Sequence, residues 1–199
     1  MSLEVANWEE FILGELFDVT YGVNLELNAL DETTENDPDG IAFVGRSADN
    51  NGVTAYVKPV YGVKPQPKNT ITVAGGGSVL STFVQARDFY SGRDLYCLYE
   101  KYQIPYMAKF FIKTVIELEK YRYNYGRQAN TSLPSMVIKL PISADGNPDW
   151  EWMEKYIKSL PMAEHLPGAS SENNFLSVYE YEAKEEKSLK VAEDTIDYQ

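Results

Sequence analysis

The sequence predicts a mixed α/β (α+β) fold, with strands and helices interspersed along a chain of 199 residues. Three observations predict it. Ile41, Phe43 and Gly45 alternate with Ala42, Val44 and Arg46 ahead of an Asn51-Gly52 turn signal, and Val53, Ala55 and Val57 begin a return strand, the pattern of a hairpin. Met107, Phe111, Val115 and Leu118 recur at helical spacing within 104–121. Residues 147–161 open on Asn-Pro-Asp, place Glu151 early and Lys155 and Lys158 late, and so carry the marks of a second helix with Asn147 as cap and Pro148 at its first position.

The elements follow in order. Trp8, Phe11, Ile12, Leu16, Phe17 and Val19 predict a short helix running into a strand. Residues 31–40 form a polar loop closing on Gly40. The hairpin loop after Val44 is longer than two residues, so Arg46 to Asn51 should project from a sheet edge. Ile71 and Val73 make a strand that runs into Gly75-Gly76-Gly77. No Lys-Ser/Thr follows, which excludes a P-loop. These glycines allow either close approach of the backbone to a ligand or a bulge in a sheet. Ser78 to Gln85 interleaves polar and apolar residues, and 94–100 is a further strand. In the 104–121 helix, Pro105 suits the first turn, Phe110 and Ile116 widen the apolar face, and Lys109, Lys113, Glu117 and Lys120 lie away from it. A polar loop, 122–134, leads to a strand at 135–142. Trp150, Met153, Ile157 and Leu160 share one face of the last helix. Residues 180–199 are a charged peripheral segment of helical character.

Composition bounds the function. Apolar content of 44% and charged content of 24% are ordinary for a soluble globular protein. Cys97 is the sole cysteine, so no disulfide framework or cysteine-based zinc site forms within the chain. The start has no basic and apolar signal pattern, and no apolar run approaches the roughly 18 residues of a membrane span. The expectation is a cytoplasmic protein without membrane partners. Charge is sectioned. Residues 1–40 hold 11 acidic and no basic residues, 41–139 hold 13 basic and 6 acidic, and 140–199 hold 5 basic and 13 acidic. Either the middle is a basic body suited to phosphates, or the acidic ends fold back and neutralise it.

No catalytic pattern emerges, and no cofactor or metal is expected. His165 lies in a Pro-flanked segment and reads as a surface side chain. Cys97 in a strand reads as a buried, inert thiol. Asn147-Pro148-Asp149-Trp150 is similar to the Asn/Asp-Pro-Pro-aromatic signature of amino-methyltransferases, but Asp149 replaces the second Pro and no Gly-rich cofactor turn precedes it. What stands out is a set of side chains able to read bases. Arg pairs with guanine and Asn or Gln with adenine in the major groove, while hydroxyls suit phosphates. The candidates are Arg46, Ser47, Asn50 and Asn51; Ser78, Ser81, Thr82 and Gln85; Arg87 and Arg93; and Arg122, Tyr125, Arg127 and Asn130.

In this order, "FVGRSADNNGVTAYV", "NTITVAGGGSVLSTFVQARDFYSGRDLYCL", "YRYNYGRQANTSLPSMVIKLPI" and "GNPDWEWMEKYIKSL" resemble the target recognition domain of restriction-modification specificity (S) subunits, in the branch related to type I and type IIB systems. The resemblance covers Trp8 to Leu160. It implies a twisted, mostly antiparallel sheet flanked by helices, with loops entering the major groove of double-stranded DNA. It implies a non-catalytic subunit that positions a partner DNA methyltransferase and, in many systems, a nuclease or translocase. The expected organisation is a recognition domain over 1–165 and a charged tail over 166–199. Family members carry two such domains separated by long helices; here there is room for one. A half-subunit that forms a homodimer, one that pairs with a second half, or a truncated remnant all fit. The alternative function is an antirestriction-like protein that occupies such a complex without reading DNA.

Overall fold

The computed structural model describes residues 7–123, 128–161 and 163–166. The first apolar stretch forms β1 (Trp8–Ile12), one helical turn α1 (Leu13–Leu16) and β2 (Phe17–Tyr21), so the expected helix is reduced to a single turn between strands. Its flanks are claimed by partners distant in sequence. β1 pairs with β10 (Val137–Pro141), and β2 with β9 (Leu95–Glu100), both antiparallel. Pairing of this kind overrides local helical spacing.

The remaining strands are β3 (Glu32–Thr33), β4 (Ile41–Val44), β5 (Val53–Val57), β6 (Ile71–Ala74), β7 (Thr82–Val84) and β8 (Phe89–Ser91). They form three sheets: β1-β10, β2-β9-β6-β7 and β3-β5-β4-β8. Every pairing is antiparallel except β4 with β8. The β4–β5 hairpin forms where alternation predicts it. Asn50, Asn51 and Gly52 turn the chain with φ of 49°, 55° and 77°, a left-handed run that Asn and Gly tolerate better than other residues.

The helices are α2 (Tyr106–Leu118) and α3 (Trp150–Lys158). Met107, Phe111 and Val115 are buried as their spacing predicts, but Leu118 is exposed where the helix tightens into a 3-10 turn. Lys109, expected on the outer face, is buried; its Nζ lies 2.9 Å from Glu100 Oε2 and donates to the Asn69 carbonyl. The cap of α3 is Asp149, two residues later than expected, because its carboxylate reaches the Trp152 N–H at 2.9 Å. Asn147 instead bonds to Asp145. Leu160 lies past the end of α3 and is exposed.

The main core lies between sheet β2-β9-β6-β7 and the two helices. Phe111, itself buried, meets the partly buried rings of Trp8, Trp152 and Tyr156 at centroid distances of 5.4–5.8 Å. Burying one such ring contributes about 1.5–3 kcal/mol. A smaller cluster of Ala42, Val44, Ala74, Phe89, Leu95 and Cys97 joins the two four-stranded sheets. That join carries the hairpin tip to the end of β6. Burial pushes the Cys97 thiol up to about 12, against hydrogen bonds from Tyr99 and Gln66, so the thiolate is not formed at neutral pH. No helix among the described residues is long and apolar enough to cross a membrane.

Candidate nucleic-acid interface

Four polar segments that are far apart in sequence meet at Gly75–Gly77. Arg46, from the hairpin, donates from Nη1 to Asp94 Oδ2 at 2.8 Å. The Gly75 N–H donates to the Asp94 carbonyl at 2.8 Å, and the Ala129 N–H donates to the Gly75 carbonyl at 3.0 Å, which brings in Gln128 and Asn130. Asn130 Nδ2 donates to Gln128 Oε1 at 3.1 Å. Arg93 Nε lies 3.8 Å from the same Asp94 carboxylate oxygen, with its side chain 63% exposed. Tyr21 completes the corner: its Oη accepts from the Asp94 N–H at 2.7 Å, and its ring packs edge-on against Tyr96.

The glycines do serve close approach, but to the chain's own side chains. A Cβ on Gly75 would fall 2.2 Å from Asn130 Oδ1 and 2.7 Å from the Tyr96 ring. One on Gly76 would lie 3.3 Å from Arg46 Nη1, and one on Gly77 would lie 3.1 Å from Arg46 Cβ. A larger residue at these positions would displace the polar groups gathered there.

The predicted site residues divide by environment. Arg46, Arg93 and Asn130 belong to this corner, with Ser78 at its edge, where the Ser78 N–H faces the Arg46 carbonyl at 3.4 Å. Ser47 and Asn50 lie on the hairpin tip with local bonds; Ser47 Oγ accepts from the Asp49 N–H, and Asn50 Nδ2 donates to the Val53 carbonyl. The length of the loop predicts a tip that projects from the sheet edge, but the tip is docked. Asn51 Nδ2 donates to the Val84 carbonyl and Gln85 Oε1, both at 3.3 Å, and this docks the tip on β7.

Ser81, Thr82 and Gln85 are buried, so their polar groups face inward in this structure. Gln85 Nε2 donates to the Asn51 carbonyl and to Thr72 Oγ1. The Thr82 N–H donates to Glu117 Oε1. A buried amide or hydroxyl is retained where it satisfies another buried group, and this accounts for their placement. Arg87 lies past β7, at the opposite end of β6 from the glycines, 3.4 Å from Glu35. Arg122 follows α2 and pairs with Glu119 at 2.9 Å. Tyr125 and Arg127 lie outside the described residues. Asp94 and Tyr21 were not legible as site residues; the only signal was the Gly92-Arg93-Asp94 turn before β9.

The acidic N-terminal section does fold back on the basic body. Glu10 pairs with Lys139, Asp18 with Lys101, Glu35 with Arg87 and Asp37 with Lys58. The Lys58 hydrogen bond, with others from Thr33 and the Asp39 N–H, lowers Asp37 to about 2. None of these four acids contacts Arg46 or Arg93. Among the described residues, no group of three or more His, Cys, Asp or Glu could hold a metal.

This mixed fold is similar to that of DNA specificity subunits of known structure. The family model of the type I restriction modification DNA specificity domain matches residues 6–166, and the chain belongs to that family. It is 31% identical over 158 residues to S.BcgI, the specificity subunit of a type II restriction enzyme from Heyndrickxia coagulans, covering 78% of this chain and 44% of that protein. The fold resembles the S subunit of a type I restriction-modification system from M. genitalium, with a TM-score of 0.55 and 16% identity over 96% of this chain and 44% of that one. It also resembles the HsdS subunit from Thermoanaerobacter tengcongensis, with a TM-score of 0.55 and 16% identity over 86% and 42% of the two chains. The chain thus spans less than half the length of these relatives.

Proposed function

We propose that this chain is a non-catalytic, sequence-reading DNA module of a restriction-modification system, with residues 1–165 as its recognition domain and 166–199 as a charged tail. The corner around Gly75–Gly77 enters the major groove of double-stranded DNA, and the protein positions a methyltransferase subunit on its target. The observation that carries this is the convergence of Arg46, Arg93, Gln128 and Asn130 on one corner. Arg and the carboxamides are the side chains that bond bidentately to guanine and adenine edges. Ser47 and Asn50 extend the surface along the hairpin, and Tyr125 and Arg127 add further DNA contacts. Arg87 and Arg122 serve as flanking cations once their exposed ion pairs, which contribute little to stability, exchange for phosphate. A second copy or a second half-subunit would supply the other half of a bipartite site.

The test is selection from random duplex DNA at about 50 mM salt, low enough to favour phosphate contacts, with and without the system's methyltransferase subunit. An enriched motif is the expected result, and its symmetry reports how many copies bind. No enrichment in either condition would overturn the proposal and favour a protein that occupies the complex without reading DNA.

A further inference from the structure

We propose that Asp94 is a specificity-determining positioning residue, which holds the Arg46 guanidinium by one nitrogen so that it reads the acceptor edge of a guanine and not the charge of a phosphate. The inference rests on the DNA-reading function proposed above.

Asp94 is fixed independently of any ligand. Its N–H donates to Tyr21 Oη at 2.7 Å, its carbonyl accepts from the Gly75 N–H at 2.8 Å, and its φ is 55°. Its side chain is 20% exposed and that of Arg46 is 29% exposed, so the pair is partly shielded yet open on one side.

The contact is also one-sided. Asp94 Oδ2 takes a hydrogen bond from Nη1, the guanidinium nitrogen on the Cδ side. The Nε–Nη2 edge, whose two parallel donors match guanine O6 and N7, is left unused by Asp94. A Cβ on Gly76 would lie 3.3 Å from the same Nη1 and 3.4 Å from Asp94 Oδ2, and one on Gly77 would lie 3.1 Å from Arg46 Cβ, so the glycines line the Arg46 stem and its paired nitrogen and leave the Nε–Nη2 edge alone. The guanidinium is therefore braced by a carboxylate and a backbone wall with its bidentate edge intact.

Charge favours the same role. A phosphate approaching Arg46 also meets the Asp94 carboxylate, and the two contributions oppose each other. A guanine edge is neutral, and it gains both hydrogen bonds without that repulsion. Asp94 thus turns Arg46 from a charge contact into a geometric one. Arg93, more exposed and 3.8 Å from the same carboxylate, is left as the cation suited to phosphate.

The experiment is selection from random duplex DNA, with salt titration, using the full chain and its methyltransferase subunit. The variants are Asp94→Asn, Arg46→Ala and the double variant. Asn keeps the side-chain shape and tolerates positive φ. Asp94→Asn is expected to lower preference about ten-fold or more at a single G·C position. Binding to unrelated DNA should tighten, and the salt slope should steepen by roughly 0.9 as one more positive charge becomes free. In the Arg46→Ala background, Asp94→Asn should change that position no further. A merely structural role would instead erode every position in both backgrounds.

If Asp94→Asn fails to fold, Arg46→Lys serves, because it keeps the ion pair and lacks the parallel donors. The same position should lose its preference with the salt slope unchanged. A wild-type motif that the variants leave unchanged, or weaken evenly at all positions, overturns the role of Asp94 and leaves DNA reading intact. Absence of any motif from the wild type overturns DNA reading, and this role with it.

Discussion

Two polar regions flank the hairpin tip. On one side, Gln85, Thr72 and Asn51 bond to one another beneath the tip, and Ser81 and Thr82 are buried beside them. On the other side, Arg46, Arg93, Gln128 and Asn130 gather around Asp94 and the glycine loop, with Arg93 and Gln128 open to solvent. Their residue types overlap, yet the inner group closes on itself and the outer one keeps unused donors. The difference is in what each backbone leaves unsatisfied. Edge strand β7 and the left-handed turn at Asn51 present buried amides and carbonyls that only nearby side chains can meet. At the glycine loop the backbone is met by backbone, the Gly75 N–H by the Asp94 carbonyl and the Gly75 carbonyl by the Ala129 N–H, so the side chains around it are not needed there.

The largest expected effect lies in the interior. Lys109→Ala would leave Glu100 buried without its counter-ion, a loss of about 3–5 kcal/mol. Chemical denaturation should show it, and the DNA motif of whatever protein remains folded should not change. A changed motif would show that the interior and the corner are coupled. Gln85→Ala comes next. It strips partners from Asn51 and Thr72, which should cost roughly 1–3 kcal/mol for buried groups left unpaired. Its motif should also match the wild type, which would separate this region from the corner. Gly77→Ala should reverse the pattern. At φ 64° an alanine costs about 1–2 kcal/mol, and its Cβ would press on Arg46. The stability loss should be smaller than for Gln85→Ala, and the loss of base preference larger.

Much of this fold was legible in the sequence, and the reasons are local. Period-two alternation and Asn51-Gly52 located the β4–β5 hairpin, and the i+4 stripe from Met107 to Val115 located α2. The first segment was harder to read, because β1 and β2 are held by β10 and β9, whose pairing leaves no trace in residues 7–19. The site was legible as residue types and not as environments. Gln85 and Arg46 look equally available in the sequence. Their environments depend on partners 34 and 48 residues away. Asp94 is hidden in the sequence for a related reason: a carboxylate by itself counts against nucleic-acid binding, and only its contact with Arg46 gives it another role.

The smallest effect should be read as the shape of a pH curve. Burial raises the Glu117 carboxyl, but hydrogen bonds from Lys113 and the Thr82 N–H, with the charges of Lys113 and Lys120, outweigh it and hold the group below its ordinary value. The unfolded chain releases its Glu proton near about 4.3. The stabilisation is therefore complete above that pH and is lost as pH falls through the lower folded value, because the unfolded state takes up the proton first. Glu117→Gln keeps an acceptor for the Thr82 N–H and removes the titration. Its stability should vary less than the wild type's below about pH 4.3, as read by thermal melts from pH 3 to 7. Parallel curves would mean that Glu117 does not titrate with unfolding. Steeper loss in the wild type would show that the free edge of β7 is closed by a charged carboxylate. The inner region would then also rely on one ionised group at its rim, as the corner relies on Asp94.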